Sequence, residues 1–384
     1  TMKNKIAIAS AFLAAASFST AEIVVNEFLS FEGFVDSSYS HTDGEVDFRG
    51  NGNDGDFNEN SFQVDQVEIS WLFNFDTVTA QVDLQYEGDS NDGNGEDGEL
   101  VEQAFVNYAL ANGGVVTAGR YASMLGFEAF EPTGLYQYST AYAIGNLGDA
   151  SILPSYAQGV KYTIEGDTTF FGISIQDQAY DLGSDRLGGN EGDSSHAVEV
   201  AGALDLGNGV SLFLGGVLED GEDDNSYAIN AYATYETGAW LFAAEINFGD
   251  LANGTDISNE VSLLVDEGPG GAGADNGDTF TTNEDVLQFL LMANYAYSEQ
   301  ASVTGRITYS EHDADVAEEV GAFTDTFEAE VTKLTLAHNY AFTDNLLLVT
   351  EVSYVEGDWD LAGFDNGDAD FDGTQLAVEL LFSF

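Results

Sequence analysis

The 384-residue sequence contains no cysteine, three prolines and only eight basic residues. Without cysteine, the fold has neither disulfides nor thiolate metal sites. Because 68 acidic residues outnumber the basic ones, the protein repels nucleic acid and anionic headgroups and attracts cations. Nucleic-acid binding is therefore excluded. Beyond the N-terminus, no apolar run approaches the ~18 residues of a membrane-spanning helix, so a membrane location would have to be reached by strands.

The first 21 residues have the order of a secretory signal. Lys3 and Lys5 precede an apolar run from Ile6 to Phe18, and small residues follow up to Ala21. We predict cleavage after Ala21 and export of residues 22–384 as a single domain. Lys3 and Lys5 are two of the eight basic residues, so the exported chain keeps six.

Apolar residues alternate with polar ones, which is the period of a strand with one apolar and one wet face. In the segment Val78 to Tyr86, for example, every second residue is apolar and the residues between are Thr, Gln or Asp. The pattern predicts sixteen strands, at residues 29–40, 61–75, 77–87, 100–111, 114–122, 156–165, 168–178, 195–206, 210–219, 226–237, 239–249, 285–298, 301–311, 329–341, 345–356 and 373–384.

The links between these strands alternate between short turns and long loops rich in Asp, Gly and Asn. Outer-membrane barrels typically have short turns at one end, long loops at the other end and an even number of strands. We therefore predict an all-β fold, a closed antiparallel transmembrane β-barrel of about 16 strands with short periplasmic turns and long acidic extracellular loops. Fourteen or eighteen strands remain open, because residues 260–268 have the pattern of a further strand.

The chain ends in an apolar stripe, Leu376, Val378, Leu380, Phe382 and Phe384, which we predict to face lipid. Aromatic residues at the short-turn ends of strands predict an interfacial girdle. Its predicted members are Phe75, Tyr108, Tyr235, Trp240, Tyr295, Tyr340, Phe342 and Phe384.

Four short motifs within residues 101–163 resemble bacterial outer-membrane porins and, more narrowly, the largely uncharacterised β-barrel porin families. They are "VEQAFVNYAL", "AGRYASMLGFEAFEP", "LYQYSTAYAIGN" and "QGVKYT". The resemblance implies passive diffusion of small hydrophilic solutes across the outer membrane of a Gram-negative bacterium. It also implies that the terminal Phe384 strand is recognised by the barrel-assembly machinery and that the protein is a homotrimer.

Residues 123–155 form a long loop that is apolar and aromatic where the other long loops are acidic. Apolar loop residues need burial, and the inner wall of the barrel offers it. The porin resemblance implies that this loop folds inward and constricts the pore, with Glu128, Glu131 and Asp149 as its charged members. The alternatives are a loop that packs on a neighbouring subunit or covers the barrel as an outer lid.

Four basic residues, Arg120, Lys161, Arg306 and Lys333, lie within predicted strands. A charge that faced lipid at mid-depth would cost about 2–4 kcal/mol, so all four are predicted to point inward and line the pore. We expect Arg120 and Lys161 to face the carboxylates of the inserted loop. The alternative is that each neutralises wall carboxylates such as Asp83. The carboxylate excess predicts a lumen that prefers cations.

The segment 368–379 matches the expression for a calcium loop, with Asp368, Asp370 and Asp372 as a weak Ca²⁺ candidate, but it has no flanking helices. Acidic loops 51–60 and 88–99 could also collect divalent ions. The alternative is a solvated acidic surface. No other cofactor is predicted.

Catalysis finds little support in the sequence, because no serine of matching parity accompanies His338 within its strand. We therefore predict a channel and no enzyme. The rivals are a non-conducting barrel that acts as a surface receptor, adhesin or structural scaffold, and a secreted soluble β-protein.

Overall fold

A computed structural model of the chain describes residues 22–48, 55–87, 101–128, 131–143, 150–180, 196–220, 225–256, 279–318, 324–361 and 368–384. The predicted signal peptide, the segment 260–268 and two of the basic residues, Arg49 and Arg186, lie outside these ranges. Among the described residues, no helix has the length and apolar character needed to cross a bilayer.

A two-residue strand, β1 (Ile23–Val24), precedes sixteen long strands, each of which overlaps one predicted from the sequence. They are β2 (Leu29–Phe48), β3 (Gly55–Phe75), β4 (Val78–Glu87), β5 (Val101–Ala109), β6 (Val115–Ala122), β7 (Tyr156–Glu165), β8 (Thr169–Gln176), β9 (His196–Gly207), β10 (Val210–Asp220), β11 (Asn225–Thr237), β12 (Trp240–Asp256), β13 (Thr279–Ser298), β14 (Ala301–Glu318), β15 (Thr324–Thr343), β16 (Leu346–Leu361) and β17 (Asp368–Ser383).

Each long strand pairs antiparallel with the next in sequence, and β17 pairs with β2, for example Leu376 opposite His41. The sheet is therefore a closed barrel of sixteen strands, which confirms the predicted fold. Closure leaves no unpaired edge, so every strand can satisfy its backbone groups within hydrocarbon. In the short turns, Asp76 and Asn208 adopt positive φ values of 62° and 57°, a conformation that Asp and Asn tolerate better than most residues.

The outer face of the barrel is apolar along its middle. Leu376, Val378 and Leu380 are 42–49% exposed, while the alternating Ala377 and Glu379 are buried. Aromatic rings near the short turns stack in pairs, such as Trp240 with Tyr295 at 4.5 Å. This face is suited to lipid, with an aromatic girdle at one boundary.

Beyond the apolar belt, the long strands β12 to β17 carry a row of acids on their outer face. Six of them lie directly opposite one another on consecutive strands: Asp250, Asp285, Asp313, Glu328, Asp360 and Asp368. A second row contains Glu311, Glu330, Asp358, Asp370 and Asp47. We call these two rows the acidic collar. On the inner side at this height, Trp359 and Phe371 are buried in ring contact at 5.4 Å. Acids outside and apolar rings inside show that this part of the barrel stands in water.

The collar corrects the calcium-loop interpretation. Asp368, Asp370 and Asp372 lie within β17 in extended conformation, so their side chains lie in line along one face of a strand. A calcium loop instead wraps its ligands around one ion by a tight turn. The three residues are therefore not arranged as a calcium loop, and weaker Ca²⁺ binding by them stays a prediction.

Strand β6 departs from regular alternation after Gly119, whose φ is +128°, because the consecutive residues Arg120 and Tyr121 are both buried. The inward direction predicted for Arg120 would place its neighbours Gly119 and Tyr121 on the lipid side. The structure instead buries Tyr121, whose hydroxyl lies 2.8 Å from Ser174 Oγ on the inner wall. A side chain at residue 119 would clash with the carbonyl oxygen of Ala104 on β5, so only glycine fits here.

Candidate pore constriction

We call residues 123–155, between β6 and β7, the inner loop; its described residues, 123–128, 131–143 and 150–155, lie inside the barrel. Its described residues contact strands on all sides of the interior, from Glu199 on β9, through Arg306 on β14, to Ser38 on β2. The described part of the loop therefore packs within the barrel and does not lie over it as an outer lid. Its role as the pore constriction stays a prediction.

Apolar residues of the inner loop pack against β9 to β13. Leu125, Phe127 and Ile152 are buried in one cluster with wall residues such as Ala201 and Val286. The wall has room for these loop side chains because its residues at the contacts are small. A side chain at Gly215, for example, would clash with Leu125. Burial of this apolar surface fixes one flank of the loop, at roughly 1.5–3 kcal/mol for each fully buried large side chain.

Three wall carboxylates accept hydrogen bonds from backbone N–H groups of the inner loop. Glu199 accepts from Met124 N at 2.7 Å, and Glu245 accepts from Phe127 N at 2.7 Å. Glu351 accepts from Tyr138 N at 2.9 Å. Such charge-assisted bonds are about twice as strong as neutral ones. These acids thus anchor the loop, a role that sequence reasoning missed because their partners are main-chain groups.

Arg306 and Lys333 also hold the inner loop. Arg306 Nη1 donates to both carboxylate oxygens of Glu128, at 2.7 and 3.0 Å, and both side chains are almost fully buried. Lys333 Nζ donates to Ser139 Oγ at 2.7 Å and to the carbonyl oxygen of Ala143 at 2.9 Å. The loop carboxylate Glu128 is therefore paired with Arg306, whereas the sequence hypothesis assigned the loop carboxylates to Arg120 and Lys161.

Arg120 and Lys161 have other contacts. Arg120 Nε donates to the carbonyl oxygen of Glu102 at 2.9 Å, and its guanidinium lies 4.9 Å from the ring centre of Tyr156. Lys161 Nζ donates to the carbonyl oxygen of Ala122 at 3.1 Å and lies over the ring of Tyr121. Asp83 is fully buried and accepts from Gln103 at 2.8 Å. Asp149 lies outside the described residues.

Acidic side chains cluster on the wall formed by β17 and β2 to β5. Asp36, on β2, and Glu379, on β17, are buried together. Nearby, one ligand oxygen from each of Glu68, Glu102 and Glu131 lies within 4.8 Å of the others. We call these last three residues the carboxylate cluster. Burial, and next the charge of Glu102, raises the pKa of the loop residue Glu131 to about 8. The constriction thus has one flank where carboxylates crowd together.

A serine, a histidine and a glutamate also meet on the inner wall. Ser310 Oγ lies 2.6 Å from His312 Nε2, and His312 Nδ1 lies 2.6 Å from Glu284 Oε1. Sequence reasoning missed this set because Glu284 is on β13 and the other two are on β14. Ser310 is only 4% exposed, and its Oγ also accepts from Gln288. The geometry resembles that of a nucleophile, a base and an orienting acid, but the serine is covered.

Solved structures with the same fold are outer-membrane proteins. OmpF of Salmonella typhi, in complex with daunomycin, matches with a TM-score of 0.57 and 16% identity over 94% of this chain and 100% of that one. OmpT of Vibrio cholerae matches with 0.55 and 11% over 94% and 100%. The outer-membrane channel DcaP of Acinetobacter baumannii matches with 0.54 and 13% over 93% and 97%. At these identities the likeness shows the fold alone. No curated protein matches the sequence significantly.

A family model described as "Putative beta-barrel porin-2, OmpL-like" matches residues 29–384, which includes all sixteen barrel strands. Together with the closed barrel, its apolar outer belt and the inner loop, the match places the protein in the outer membrane of a Gram-negative bacterium as a porin-like channel. The chain belongs to this OmpL-like β-barrel porin family.

Proposed function

We propose that the protein is a passive diffusion channel for small hydrophilic solutes and ions, with a preference for cations. The inner loop and the facing wall form its selective section. Rings and clusters of Asp and Glu in a pore favour cations.

The distribution of charge around the inner loop carries this proposal. The two basic residues that reach the loop, Arg306 and Lys333, are bonded to Glu128 and to loop oxygens. The acids on the opposite flank outnumber the basic groups that contact them: among the described residues, Arg120 lies beside Glu102, and it bonds to a backbone oxygen. Cations therefore meet a flank with more acids than basic groups, whereas Arg306 and Lys333 are already bonded to the protein.

Swelling of liposomes that contain the purified protein tests the diffusion channel. Neutral sugars and amino acids should enter at rates that fall with solute size and do not saturate with concentration. Liposomes that fail to swell with every solute, together with silent bilayer recordings, would favour the non-conducting receptor, adhesin or scaffold.

We propose further that the protein has no hydrolase activity. Instead, the contacts among Ser310, His312 and Glu284 stabilise the pairing of β13 with β14. Their mutual bonds and the cover over Ser310 support a structural role. A fluorophosphonate probe should leave the folded protein unlabelled. Labelling that disappears in Ser310→Ala would instead identify a serine hydrolase.

We propose that the protein is an exported homotrimer whose last strand is recognised during assembly. Strands β4 to β8 are 8–10 residues long, against 16–21 for β12 to β17 and for β2 and β3, which leaves a low wall where neighbours can meet. A structure of Vibrio cholerae OmpT is described as a trimer form. Phe384 closes the barrel through two backbone bonds with Gly33, each 2.9 Å. Light scattering of the detergent-solubilised protein tests the trimer, and removal of Phe384 should lower the folded amount in the outer membrane.

A further inference from the structure

We propose that the carboxylate cluster, Glu68, Glu102 and Glu131, binds one Ca²⁺ ion between the barrel wall and the inner loop. Glu68 is on β3, Glu102 is on β5 and Glu131 is on the loop. The three residues therefore come from parts of the chain that a shared ion would tie together. This inference does not depend on conduction, because binding is measured on the purified barrel.

Glu102 gives the observation that points to a missing positive partner. It is only 3% exposed, and its Oε2 has no hydrogen-bond partner among the described residues. A buried carboxylate oxygen that lacks a partner is costly, so such atoms generally have a donor or a metal ion. Glu102 also lies at a register shift, because Asp83 pairs with Gln103 and Leu84 pairs with Val101. A bulge of this kind redirects a side chain.

The hydrogen-bond donors around the cluster are too few for its oxygens. Ser70 Oγ donates to Glu68 at 2.8 Å, and Gln66 donates to Glu131 at 3.1 Å. The hydroxyl of Tyr156 contacts both Glu102 Oε1 and Glu131 Oε1, yet it has one proton and can donate to only one of them at a time.

Arg120 is the basic side chain beside the cluster, but it does not bond to these carboxylates. Its Nε donates to the backbone oxygen of Glu102, and its buried Nη1 has no partner among the described residues. Three carboxylates thus face a single guanidinium, so a divalent cation would bring the group close to neutrality.

The geometry and the ligand type favour calcium. Ca²⁺ takes carboxylate, carbonyl and hydroxyl oxygens at about 2.3–2.6 Å, so two ligand oxygens on opposite sides of the ion are about 4.8 Å apart. The three cluster oxygens fit within that separation. Mg²⁺ keeps several waters and suits an open site better than a buried one.

Calorimetric titration of the folded, full-length protein with Ca²⁺, in excess Mg²⁺ to occupy surface acids, tests the site. We expect one saturable Ca²⁺ per chain. Affinity should fall about tenfold or more in Glu102→Gln and in Glu131→Gln. Glu330→Gln, an exposed acid of the collar, is the matched control and should bind like the parent protein.

Folding of each variant is checked by the gel shift between unheated and boiled samples. Glu131 is on the loop, so its substitution leaves strand pairing intact and keeps the test valid if Glu102→Gln does not fold. The proposal is overturned if the parent protein shows no saturable Ca²⁺ heat, or if folded cluster variants bind as tightly as Glu330→Gln. In that case the cluster holds no ion.

Discussion

At the scale of single residues, the pair of Arg306 and Glu128 links the wall to the inner loop in a site from which water is almost excluded. Breaking a buried ion pair leaves one charge without a partner, which costs about 3–5 kcal/mol. Arg306→Gln should therefore lower the free energy of unfolding by about that amount, measured by urea unfolding in lipid vesicles with tryptophan fluorescence. Because Arg306→Gln/Glu128→Gln removes both charges, it should recover part of the loss; an equal loss in the double variant would show that the pair is not coupled.

Glu131 gives the constriction a dependence on pH. Burial and the charge of Glu102 raise its pKa from an ordinary 4.5 to about 8, opposed by hydrogen bonds from Tyr156 and Gln66. Between pH 4.5 and about pH 8, Glu131 therefore keeps its proton in the folded protein but has lost it in the unfolded chain. The free energy of unfolding falls as pH rises through this range. With divalent ions chelated, cation preference should rise between pH 6 and pH 9 as Glu131 ionises. Glu131→Gln should show a smaller change; an unchanged slope would mean that other groups titrate.

At the scale of strands, period two predicts every barrel strand but not the local departures from it. In β6, Arg120 and the next residue, Tyr121, are both buried, just after Gly119, where a positive φ and close contact with β5 turn the chain. Nothing in the sequence near Gly119 marks that turn. Eight strands also extend well beyond their predicted ends, namely β2, β3 and β12 to β17. Their extensions remain paired, but the residues there are acidic, so the apolar alternation that predicted the strands is lost.

The two glycines Gly119 and Gly305 test how much the positive φ and the close contact at Gly119 restrict that position. Gly119→Ala should lower stability by about 2 kcal/mol or more, because alanine is strained at a φ of +128° and its methyl group clashes with Ala104. Gly305, on β14, has open space around the position of a Cβ, so Gly305→Ala should be nearly neutral. The midpoint of urea unfolding measures both; similar midpoints would contradict this account of Gly119.

The contacts of the inner loop show where prediction from sequence ends. Its apolar composition was enough to predict insertion into the barrel, because those residues need burial. Its partners were not predictable, because Arg306 and Glu128 are separated by 178 positions and the acids Glu199 and Glu351 bond to main-chain N–H groups. Sequence spacing carries no information on such pairs until the register of all sixteen strands is known.

At the scale of the whole molecule, the acidic collar opposes folding. Like charges directly opposite on neighbouring strands are destabilising, by roughly 0.2–1 kcal/mol for each pair. Salt and divalent cations screen this repulsion. The thermal unfolding midpoint should therefore rise with ionic strength, and Asp358→Asn/Asp370→Asn should raise it at low salt and reduce its salt dependence. A midpoint independent of salt would show that the collar charges are already neutralised.

The central claim is that water and ions cross the barrel past the inner loop, along a wall with more acids than basic groups. The reversal potential of single channels in a planar bilayer, under a potassium chloride gradient, tests it most directly. The account predicts a potential of the sign that marks cation preference, reduced at pH 9 with divalent ions chelated when Glu131 is replaced by its amide. A potential of the opposite sign, or a membrane that stays silent with folded protein inserted, would contradict it.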